Sequence, residues 1–177
     1  MTETFISTFR ELCSALPYLY VLMFMLCIGV QKQLSSLSIT IILVACAEFI
    51  MDTAASPLLT ALNDKTITYE VRASIWAISW CYMYAIAVYA FEKSHHWLNI
   101  QKGKELFVIQ LLFGFSAVLE LFDYINLMVF KFPSLFVIYE IGLPALGLAI
   151  GLYLITQLLL SIKDRYVNRD HSASNVA

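Results

Sequence analysis

VACAEFIMDTAASPLL, residues 44–59, reads as lipid-soluble except for two acids, Glu48 and Asp52, one helical turn apart. The apolar run around it, 37–59, has the length that crosses a bilayer core, for which about 20 residues suffice. A charged side chain at the bilayer centre costs roughly 2.5–3.5 kcal/mol on insertion scales. A chain that keeps two acids there is predicted to turn them toward other helices rather than toward lipid.

Working outward, four more apolar runs have similar length: about 12–30, 71–91, 106–130 and 135–161. The connections between runs are short (QKQLSS, TALNDKTITYE, EKSHHWLNIQKGKE and KFPS), and none can hold a soluble domain. The expected fold is therefore all-α, a polytopic membrane helix bundle with five transmembrane helices over residues 1–162. The tail KDRYVNRDHSASNVA, 163–177, is expected to be a short disordered cytoplasmic segment. The first run reads as a retained span, because Glu3, Arg10 and Glu11 precede it and no small-x-small cleavage site follows. Phe5, Phe9, Leu12 and Leu16 recur at helical spacing and predict an amphipathic turn at the interface.

Composition agrees. Of 177 residues, 60% are hydrophobic and 14% charged, with a mean hydropathy of +0.77; soluble domains carry about 25% charged residues. The formal net charge of −2 and the lack of any basic block exclude a nucleic-acid partner. Cys13, Cys27, Cys46 and Cys81 stand singly, without disulfide or zinc spacing, and read as small buried hydrophobes. His95, His96 and His171 all fall in polar segments, which excludes haem ligation inside the membrane. KSHHW (93–97) reads as part of a solvated loop.

Orientation follows from the basic residues. Lys32, Lys93, Lys102, Lys104, Lys163, Arg165 and Arg169 share one side, and Arg10, Lys65, Arg72 and Lys131 the other. The richer side is expected to be cytoplasmic, which puts the N-terminus outside and the C-terminus inside. A bacterial inner membrane is the expected location.

With that topology five acids, Glu48, Asp52, Glu120, Asp123 and Glu140, fall in the outer half on three helices. Glu48 and Asp52 share a face with Ala45, Ala55 and Ser56. Ser116, Glu120, Asp123 and Asn126 make a polar stripe, and Glu140 lines up with Pro144, Gly147 and Gly151. Gly147 and Gly151 form a small-xxx-small helix-packing contact. Arg72 is the best-placed counter-ion, too little to neutralise five carboxylates. Protonation, a bound cation or entering water must then stabilise the cluster, although carboxyl–hydroxyl bonds to Tyr124, Tyr139 or serines would make the same acids packing contacts. The aromatic residues Trp76, Trp80, Tyr82, Tyr84 and Tyr89 are expected to pack or to sit at membrane interfaces.

No Gly-x-Gly-Asp, HExxH, Asp-Gly run or nucleotide loop occurs, so no enzyme and no cofactor are expected. The acids point to a cation or proton channel or transport component, with the five carboxylates as its site and the metal, if any, unidentified. The alternative is a non-transporting protein that acts on another membrane protein or the bilayer, as immunity, entry-exclusion, phage-defence or sensor factors do. Expected partners are the lipid bilayer and either further copies of the chain or another membrane protein.

Overall fold

The structure, a computed structural model, describes residues 14–63 and 66–174, with side chains described to Val167. Arg10, Cys13, Lys65 and the amphipathic turn expected before Pro17 lie outside the described residues in whole or in part. Among the described residues the chain is an all-α membrane helix bundle of five helices. They are α1 (Leu16–Gln31), α2 (Ser36–Leu62), α3 (Tyr69–Trp97), α4 (Lys104–Ile125) and α5 (Pro133–Ser174). The last four, α4 taken with its continuation to Phe130, are long and apolar enough to cross a membrane, and α1 is a shorter apolar helix.

Local chemistry sets the ends. Pro17 occupies the first turn of α1, where a missing N–H costs nothing. Ser35 caps α2 in a reciprocal box with Ser38. α4 runs into a π-helical turn, Asn126–Phe130, closed by Lys131 in the left-handed region at φ 54°, its N–H bonded to Asn126 O at 2.6 Å. The buried Asn126 side chain then clamps the α4–α5 turn, donating to Phe132 O and accepting from Phe132 N, both at 3.2 Å. Pro57 and Pro144 lie inside continuous helices.

Consecutive helices pack on one another, α1 also meets α5, and α2 touches all four others. Half of the apolar segment of α2 is buried, against 22–28% for the other three long helices. Its first turns are enclosed on every side: Leu37, Ser38, Ile39, Thr40 and Ile41 are all buried, although successive residues point about 100° apart. From Asp52 onward α2 is largely exposed. This is a centre with one open end.

α5 meets α1 through glycines. A Cβ at Gly147 would lie 3.6 Å from Leu16 Cδ1, and one at Gly151 would lie 3.3 Å from Leu16 Cδ2. The Tyr20 hydroxyl reaches the backbone exposed there and donates to Gly147 O at 3.3 Å. Gly142 makes a closer approach on the α4 side, where a Cβ would be 2.9 Å from Leu119 Cδ1.

Three sequence expectations need correction. The helix does not stop near 162 but continues to Ser174, because its extension is tied to the end of α1: Arg165 Nη2 donates to Gln31 O at 2.8 Å, and Gln31 Nε2 to Ser161 Oγ at 2.7 Å. KSHHW is the last turn of α3, not a loop, and His95 is fully buried. Its Nδ1 meets Phe91 O at 2.8 Å and its Nε2 meets Ser36 Oγ at 3.2 Å, while Gly103 N donates to the same Ser36 oxygen. The histidine thereby joins the starts of α2 and α4 to the end of α3. Of the described cysteines, Cys27 is buried and Cys81 half-buried, whereas Cys46 is exposed against expectation.

Bulk at the α1–α5 contact is expected to be costly. Gly151→Leu should lower unfolding free energy in mixed micelles by about 1–3 kcal/mol, as overpacking does. Leu152→Ala, at a side chain 66% exposed, should stay within about 0.5 kcal/mol. Equal losses would mean that the glycine face does not carry the contact. Asn126→Ala, which removes both bonds of the turn clamp, should cost about 1–3 kcal/mol in the same titration.

Candidate functional site

The polar stripe of α4 faces inward throughout. Ser116 is 5% exposed, Glu120 3%, Asp123 6% and Asn126 3%, so helical spacing alone identified four side chains that the bundle encloses. Ser116 returns its hydroxyl to Leu112 O and Asn126 serves the turn. The two carboxylates between them have no such backbone role.

Glu120 and Asp123 line a cavity of about 400 Å³ at the end of the bundle that holds the α2–α3 and α4–α5 connections. Four helices contribute to its wall. Leu59, Leu62 and Asn63 come from the end of α2, and Phe136 and Tyr139 from the start of α5. Tyr69, Arg72, Ala73, Trp76 and Ala77 come from the first turns of α3, at i, i+3, i+4, i+7 and i+8, one face of a helix.

Glu120 is held firmly. Tyr139 donates from its hydroxyl toward both carboxylate oxygens, each at 3.2 Å. Tyr124 is turned to Ser74, hydroxyl to hydroxyl at 3.1 Å. Asp123 differs: its Oδ1 is buried and has no hydrogen-bond partner. The same is true of Arg72 Nε. Arg72 thus sits in the same cavity as the acids for which it was the expected counter-ion, yet it makes no ion pair with them. Among the described residues the ion pair is Lys102 with Glu92, near the opposite ends of α3 and α4.

The other expected site residues are placed apart from the cavity wall. Glu48 is half-buried on the central helix. Tyr84 lies within electrostatic reach of both Glu48 and Glu120. Asp52 is exposed, although it shares a helix face with Glu48, because the second half of α2 has parted from its neighbours. Glu140 is half-buried one residue beyond Tyr139 and does not line the cavity. Five acids that the sequence grouped together divide into a cavity pair, a linked central residue and two peripheral ones.

Trp76, Tyr69, Asn63 and Phe136 are cavity residues that sequence reasoning missed. Trp76 had been assigned to packing; the signal that marks it is its place one turn after Arg72, on the same face. Trp80, one further turn along, is buried with an unpartnered Nε1, while Tyr82 and Tyr89 are exposed. Trp76 and Trp80 meet edge to face at 5.4 Å between ring centroids. A group of three or more His, Cys, Asp or Glu side chains arranged to hold a metal ion does not occur among the described residues.

The arrangement can bind positive charge at Asp123, fix it against aromatic walls, and pass a proton between Glu120 and its hydroxyl partner. Comparison with protein-family models, with curated proteins and with solved structures finds no match to this chain.

Proposed function

We propose that this protein exchanges protons within the membrane through Glu120, Asp123 and Glu48, as a proton or small-cation channel or transport component. The observation that carries the reading is the carboxylate pair of α4, buried yet lining a cavity at one end of the bundle. Carboxylates enclosed among apolar helices are stable when they hold a proton or another positive charge, and Arg72 does not supply it by a direct ion pair. Glu48, within reach of Tyr84 near the middle of the central helix, is the next proton-holding group inward. A proton is favoured over a dehydrated metal ion because the described residues offer no three-ligand group. The cavity then faces outward in a bacterial inner membrane, with the C-terminus in the cytoplasm, and the chain is a carrier, not an enzyme.

A specific observation favours a second reading, association with another membrane protein or with further copies of the chain. Asp52, Ser56 and Thr60 are exposed along one stripe of α2, starting near its midpoint. Thr60 returns its hydroxyl to Ser56 O, but Asp52 has no comparable outlet. A neighbouring helix that covered this stripe would remove an acid from contact with lipid.

Flux measurements in liposomes test the first reading. Glu120→Gln and Glu48→Gln should each reduce proton flux at least about tenfold while insertion and assembly are kept, since amides preserve shape. Asp52→Asn and Glu140→Gln, away from the cavity wall, should stay within about twofold. Unchanged flux in the Glu120→Gln, Glu48→Gln double variant would overturn the reading and leave association in front. Orientation has its own check: a reporter that works only in the cytoplasm, fused after Ala177, should be active, and an active alkaline phosphatase fusion there would reverse the topology.

A further inference from the structure

We infer that the cavity between the α2–α3 and α4–α5 connections binds a small zwitterion, with its ammonium group at Asp123 and its acidic group at Arg72. The inference goes beyond proton exchange and does not depend on it. It starts from two unsatisfied atoms of opposite character in one wall: Asp123 Oδ1 and Arg72 Nε are both buried without a hydrogen-bond partner. A buried charged group with an unsatisfied atom is costlier than a neutral one. The two do not satisfy each other, since no ion pair within 4.0 Å joins them.

Elimination then narrows the ligand class. An inorganic cation would serve Asp123 and leave the Arg72 guanidinium without a counter-charge. An inorganic anion would serve Arg72 but would enter beside two carboxylates, Glu120 and Asp123. One molecule with both charges provides a counter-charge to both groups that line the wall, the Asp123 carboxylate and the Arg72 guanidinium. Glu120 does not compete for the ammonium in the same way, because Tyr139 already donates to both of its oxygens. The Asp123 oxygen is the free acceptor.

The rest of the wall suits such a ligand. Trp76, Tyr124 and Tyr139 surround the acids, and aromatic faces attract ammonium groups. A volume of about 400 Å³ lies within the range of small-ligand pockets, about 300–1,000 Å³. Leu59, Leu62 and Leu127 add apolar surface for a short chain. The same ammonium–acid chemistry occurs in a phosphoethanolamine lipid headgroup and in a free amino acid, so the experiment must separate the two sources.

The test uses the full chain in detergent, with Trp76 in the cavity wall as part of the fluorescence signal. Glycerophosphoethanolamine and leucine are titrated as zwitterions, ethanolamine and glycerol phosphate as single-charge controls. At least one zwitterion should saturate the signal and bind about tenfold or more tightly than either control. Arg72→Gln and Asp123→Asn should each weaken that zwitterion by a similar factor. Ala73→Leu, which fills the cavity without touching either charge, should block it if the polar variants fail to fold. Native mass spectrometry with phosphatidylethanolamine distinguishes the sources: retained lipid points to the headgroup, and leucine binding without retained lipid points to the free solute. Ethanolamine binding as tightly as both zwitterions, or no zwitterion binding tighter than about 1 mM, would overturn the inference.

Discussion

Charge in hydrocarbon is costly, and α4 carries two carboxylates well past its midpoint, at Glu120 and Asp123. Keeping them from lipid decides how α4 is rotated. Once Ser116, Glu120, Asp123 and Asn126 face inward, the opposite face of α4, with Phe107, Leu111, Phe115, Val118 and Leu121, is left for the acyl chains. The neighbours must then meet the polar side with suitable groups. α5 supplies the Tyr139 hydroxyl and α3 supplies Arg72 and Trp76. Asn126 closes the turn that brings α5 back over the stripe. The cavity is what remains where four helices approach the carboxylates without filling the space between them.

The opposite end of the bundle is built in the other way. There Ser36 accepts from Gly103 N and meets His95, whose other nitrogen faces Phe91 O. The bonds from Arg165 and Gln31 tie α5 to α1 at the same end. His95 thus has a structural role, tying the end of α3 to the start of α2, while the buried carboxylate pair lies toward the other end.

α2 joins the two ends. Its first turns are buried and its second half is largely exposed. Glu48 lies at the changeover, with Tyr84 between it and the α4 stripe, whereas Asp52, one turn further, has already emerged. The glycine face of α5 contributes by letting α1 approach closely at Leu16 and Tyr20.

Much of this was legible in the sequence. Apolar run lengths set the number and position of the helices, because the bilayer core has a fixed thickness and lipid offers no partners for an open backbone. Helical spacing marked the inward stripe of α4 and the packing glycines of α5, because both are properties of a single helix. The grouping of five acids into one site was not decided there. Spacing states which side chains share a face; it does not state how far along the helix a neighbour continues to cover that face. Glu48 and Asp52 illustrate the difference, lying on one face yet one half-enclosed and the other exposed. His95 illustrates it again: a polar segment that reads as loop became a buried helix end once Ser36 and Gly103, distant in sequence, were brought against it. The faces were written locally, and only the crossing of the helices decided which of them meet.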